Sequence, residues 1–262
     1  MQLHVIAHGP APARVVLVHG LASNARLWDG VGAALAERGV GSVAVDLRGH
    51  GRSPKPDDGY DFGTVVGDLA PLLKTLDAPP VVAGQSYGGN VVVHLAARHP
   101  SLVRAVACVD GGAIDLRARF PVLDHALEAM RPPYERFEGI TLEEEERHLR
   151  SAHPDWPEAG IQGVLAGFEV TTDGGIRSRL TWHRHRQIIE AMWREPPTDL
   201  FPSIEVPVRF VVASERMRAA VDAAVDVLRD GDAIWFEGAD HDVHAQRPAD
   251  VAAILIDLLE PP

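Results

Sequence analysis

The chain has 262 residues, 46% of them hydrophobic, enough for one large core or a core that carries an insertion. A net charge of −12 argues against nucleic acid or anionic membrane as the main partner, since both need a basic face. Cys108 is the single cysteine, so no intrachain disulfide can form and a reducing compartment fits. Met1–Val5 lacks the basic and apolar regions of a signal peptide, and no apolar run approaches the roughly 18 residues of a membrane span. A cytoplasmic location is the expectation.

In chain order, residues 2–8 suit a first edge strand, and Gly9-Pro10-Ala11-Pro12 is a turn. Arg14–Val18 is a continuous apolar run of the kind buried on both faces of a parallel sheet, and it ends in His19-Gly20-Leu21. A helical stretch around Val31–Arg38 follows. A second buried-type strand, Ser42–Val45, leads into Asp46-Leu47-Arg48-Gly49-His50-Gly51-Arg52-Ser53, whose glycines and charges read as a structural turn without chemistry. Thr64–Leu76 has the apolar spacing of a helix. Strands alternating with helices point to an α/β fold with a mostly parallel sheet covered on both faces.

Pro80–Gln85 then runs into Gly84-Gln85-Ser86-Tyr87-Gly88, and Asn90–His99 reads as a helix. This is strand, sharp turn and helix with a serine at the apex, so Ser86 is the candidate nucleophile. Its hydroxyl would stand at a helix N-terminus, where backbone N–H groups meet developing negative charge. Arg104–Val109 is another strand, ending at Asp110-Gly111-Gly112. About ninety residues separate it from the next strand, Val206–Val212, against a usual connection of about 2–6. Thr141-Leu142-Glu143-Glu144 is a capping-box signature that opens a helix there, and Glu143–Glu146 reads as a solvated face. Residues 113–200 are therefore expected to form an inserted helical cap. The core would be 1–112 with 201–262, and the cap, with Trp156, Trp182 and Trp193, would supply most substrate contacts. His183 and His185, two apart on a helix, point in different directions with no third ligand nearby, so no metal site is expected. Ala233–Phe236 is the final strand, Gly238-Ala239-Asp240-His241 its loop, and Ala249–Leu259 a closing helix.

His19-Gly20 after a strand, the Asp46–Ser53 run, the Ser86 elbow and Gly238–His241 together resemble the α/β-hydrolase superfamily, in that family's order from about residue 14 onward. The resemblance implies the α/β-hydrolase fold, a serine hydrolase, His241 as the catalytic histidine rather than His244, and oxyanion-hole amides from Leu21 and Tyr87. His19 would orient its loop. The family usually carries its acid just beyond the strand spelled here Val208–Val212, yet that position falls on Arg216, which cannot serve. Asp110, used by some members at the strand end after the elbow helix, and Glu215 are the two candidates. The implied activity is cleavage of a carboxylic ester or lactone of a small to medium neutral substrate, without cofactor or metal, by a monomer or homodimer. The same residues also suit cleavage of a C–C, thioester or amide bond, a cofactor-free lyase, or a ligand-binding receptor.

Overall fold

A computed structural model of the chain describes residues 1–260, apart from the side chain of Glu135. The first half holds β1 (Val5–His8), β2 (Ala13–Val18), α1 (Asp29–Glu37), β3 (Gly41–Val45), α2 (Phe62–Leu73), β4 (Val81–Gln85), α3 (Tyr87–Arg98) and β5 (Ala105–Val109). Then come α4 (Leu116–Arg119), α5 (Leu123–Ala129), α6 (Leu142–Ala152), α7 (Glu158–Leu165), β6 (Phe168–Val170), β7 (Ile176–Ser178) and α8 (Trp182–Arg194). The chain finishes with β8 (Val208–Val212), α9 (Arg218–Val227), β9 (Gly231–Trp235), α10 (Val243–Gln246) and α11 (Pro248–Asp257).

Seven strands form one sheet in the order β1-β3-β2-β4-β5-β8-β9. Only β1 is antiparallel, pairing with β3, and the other neighbours run parallel. The apolar runs are continuous because each central strand buries both of its faces. Val15 and Leu17 pack with α1 and α11 on one side, while Val16 and Val18 pack with α2, α3 and α9 on the other. Burying a valine or leucine side chain stabilises by about 1.5–3 kcal/mol, so these two layers hold the sheet rigid under the strand ends. Residues Ser86, Asp110 and His241 all follow the C-terminal ends of parallel strands, where ligands gather in open α/β sheets.

Between β5 and β8 the chain is not wholly helical as the sequence suggested. It includes the antiparallel hairpin β6–β7, with Phe168 opposite Ser178 and Val170 opposite Ile176. The five residues between the strands contain Asp173-Gly174, and Gly174 takes φ +87°, a turn conformation that a β-carbon disfavours. Helix α6 begins with the capping box its sequence announced, Thr141 and Glu144 exchanging side-chain to backbone hydrogen bonds. Its acidic run is not uniformly solvated, however. Glu145 is buried, one turn before buried Leu149, and both its oxygens accept from Arg136 at 3.0 Å. Helices α6 and α7 share a small apolar cluster, including Trp156 and Ile161, with Leu27 and Ala245 of the surrounding fold.

Candidate active site

The elbow is locally forced. Ser86 sits at φ 52°, ψ −117°, outside the ordinary regions for a residue with a β-carbon, immediately before α3. A methyl group at Gly84 would overlap the Gly88 carbonyl, and one at Gly88 would overlap the carbonyls of Val18 and His19. Glycine at both positions therefore lets β4, α3 and the end of β2 close on the serine. Ser86 is the N-cap of α3, but its hydroxyl makes no cap bond and faces a cavity of about 330 Å³.

His241 lines the same cavity. Its Nδ1 lies 2.5 Å from Oδ2 of Asp110, across 131 residues of sequence. Asp110 is buried, with φ +42°, and its other oxygen accepts the N–H groups of Ala213 and Ser214 at 2.9 and 2.8 Å. The loop after β8, expected to carry the acid in this family, here clamps the carboxylate that β5 delivers. Glu215 instead points outward, 73% exposed, and pairs with Arg218. Burial by itself would lower the His241 pKa; the Asp110 hydrogen bond and the charges of Asp242 and Asp110 outweigh it, and the net shift is upward. No hydrogen bond joins the side chains of Ser86 and His241, although both line the same cavity.

His244 is fully buried against Trp28, ring centroids 4.3 Å apart, and burial drives its pKa down to about 3. It is a neutral packing residue away from the cavity. His19 donates from Nδ1 to the Gly20 carbonyl at 2.7 Å and accepts the Leu47 N–H at Nε2, which ties the loop after β2 to the loop after β3. Leu21, in that first loop, lines the cavity. The backbone N–H groups of Leu21 and Tyr87 donate to nothing among the described residues. Asp46, in the structural turn, is likewise occupied: its carboxylate accepts from Ala25, Arg52 and His4.

Several contributors are invisible in the sequence pattern. The aromatic wall of the cavity comes from Tyr134, Phe137 and Phe168. The tryptophans expected to serve there lie elsewhere: Trp193 donates to the Phe120 carbonyl, and Trp182 packs on His185. Trp156 donates to Asp240 Oδ2 at 2.6 Å, and His153 meets the same oxygen at 3.0 Å, so the α6–α7 junction grips the loop of His241. Gln85 Nε2 approaches the His241 carbonyl at 3.4 Å from the elbow side. His183 and His185 go to different partners, the Asp57 carbonyl and the Tyr134 hydroxyl. A larger cavity of about 580 Å³ shares Asn24 and Phe168 with this one but reaches neither Ser86 nor His241. No helix among the described residues is long and apolar enough to cross a membrane.

A serine on a strained strand–helix turn, a histidine tied to a buried carboxylate, and two free backbone donors are the equipment of nucleophilic acyl chemistry. Residues 13–157 match the family model described as the alpha/beta hydrolase fold, and the chain belongs to that family. It is an enzyme of the α/β-hydrolase class. Lipase LipV of Mycobacterium tuberculosis is 30% identical to it over 100% of this chain and 99% of the relative. The 2-(acetamidomethylene)succinate hydrolase of Mesorhizobium japonicum is 28% identical over 94% of this chain and 87% of its own length. Among solved structures, an E-2-(acetamidomethylene)succinate hydrolase superposes with a TM-score of 0.80 at 25% identity, covering 99% of this chain and 95% of the other.

Proposed function

We infer that this hydrolase cleaves a carboxylic ester or lactone of small to medium size through a Ser86–His241–Asp110 triad and an acyl-enzyme. The observation that carries the reading is the 2.5 Å contact between His241 Nδ1 and Asp110, with His241 and Ser86 lining one cavity. With Nδ1–H donating to the carboxylate, Nε2 is the free base. It takes the Ser86 proton as Oγ attacks the carbonyl, and the Asp110 charge stabilises the imidazolium that results. The amides of Leu21 and Tyr87 receive the oxyanion, the second at the N-terminus of α3 where the helix dipole adds to it. His241 returns the proton to the leaving group and then activates the water that releases the acyl chain.

Residues 113–200 act as a cap over this reaction, with Tyr134, Phe137 and Phe168 excluding water from the carbonyl. The cavity volume of about 330 Å³ suits a compact substrate. The acidic surface disfavours anionic esters by long-range repulsion. A fluorophosphonate probe tests the assignment: it should label Ser86 alone, and Ser86→Ala should fold normally yet lose nearly all turnover of an aryl butanoate. Label on another residue, or an active Ser86→Ala, refutes it.

A further inference from the structure

Asp242 follows His241 directly and lines the same cavity as Ser86. It is the N-cap of α10, a position where aspartate normally accepts a hydrogen bond from the first turn. Here its side chain makes no such bond, with φ −91° and ψ 49°. Its carboxyl group forms no hydrogen bond or ion pair to any described residue. The other polar and charged side chains nearby are already committed. His241 is bound to Asp110, and His153 to Asp240. Arg136, the cation on the cavity wall, is held by both oxygens of Glu145. Burial pushes the Asp242 carboxyl pKa up, helped by the charges of Asp240 and Asp110 and opposed by His241 and His153. Neither Asp242 oxygen is among the buried polar atoms without a partner, so the half-buried carboxyl is open to the cavity it lines, where a substrate group can meet it.

We propose that Asp242 is a substrate subsite beside the reacting serine, taking a hydrogen-bond donor on the substrate, an ammonium above all. This rests on the acyl-transfer reading of Ser86 and names the substrate class it serves. A donor seated there completes the hydrogen bonding that the protein leaves open. An ammonium also supplies the counter-charge, and the net charge of −12 draws cations toward the site. The subsite makes no contact with the reacting carbonyl; it orients the substrate through its far end.

The test compares aryl esters of unbranched ω-amino acids with the isosteric alkanoates, and a second series carrying the amine on the alcohol. Assays at about pH 8 keep the amines charged. The wild type should prefer at least one amino ester over its isostere by about tenfold to a hundredfold in kcat/KM, chiefly through KM, as for a hydrogen bond to a charged group. Asp242→Asn should bring that ratio close to one. Equal losses on both esters, or no preference at any chain length in the wild type, overturn the proposal. Turnover of the plain butanoate separately reports on the underlying acyl chemistry. Should no ester react, butylammonium against butanol in thermal shift reads the same subsite: stabilisation of the wild type by the amine, absent in Asp242→Asn, is expected, and its absence from the wild type overturns the proposal.

Discussion

Asp110→Asn is the most informative single change, because the structure limits what an amide can do there. Asp110 accepts three hydrogen bonds, two from the Ala213 and Ser214 N–H groups through one oxygen and one from His241 through the other. Asparagine has one oxygen and one NH2 group. Turning the NH2 toward the two backbone donors would set N–H against N–H and leave partly buried donors unpaired, at up to about 1–3 kcal/mol each. The amide oxygen therefore stays with Ala213 and Ser214, and the NH2 faces His241 Nδ1. That nitrogen must then accept, which moves the ring proton to Nε2 and, under the proposed triad, removes the base for Ser86. In a well-studied triad on another fold the same change costs on the order of 10⁴ in kcat, equivalent to about 5 kcal/mol of barrier. Glu215→Gln should stay near the wild type, since an exposed ion pair contributes only about 0–1 kcal/mol. Initial rates on an aryl butanoate, with thermal melts of each variant, decide the matter. Asp110→Asn within about tenfold of the wild type would refute the tautomer reasoning, and a crippled Glu215→Gln would return the acid to the loop after β8.

Two further outcomes follow from the geometry. The base form of His241 is neutral, and its pKa is raised above the ordinary 6.5, so kcat/KM on a neutral ester should climb with pH through an apparent pKa above that value. A limb centred below 6.5 would contradict it. Trp156→Phe removes the Asp240 hydrogen bond that anchors the loop of His241, at a cost of about 1–3 kcal/mol. A drop of several degrees in Tm by calorimetry is expected, and an unchanged Tm would mean that this tie contributes nothing.

Much of the molecule is written in local pattern. Val15–Val18, Val43–Val45 and Val81–Ala83 are apolar on consecutive residues because both faces of each strand are covered, a condition any short window reveals. The elbow pattern is also short, Gly84, Ser86 and Gly88 within five residues, although the space at Gly88 is closed by the distant carbonyls of Val18 and His19. Which groups meet the serine is another kind of question. Asp110 and His241 are neighbours only because β5, β8 and β9 lie side by side, so their contact could not be read before the sheet order was known. Glu145 sits in an acidic run that reads as solvated, yet the packing of α6 turns that one carboxylate inward to Arg136. The tryptophans of the insertion went to structural partners, while Tyr134, Phe137 and Phe168 reached the cavity. Backbone conformation is governed by neighbours a few residues away, so sequence alone determined the strands and the turn. Partnership across more than a hundred residues depends on how layers pack and which buried groups find donors, and only the tertiary structure decided that.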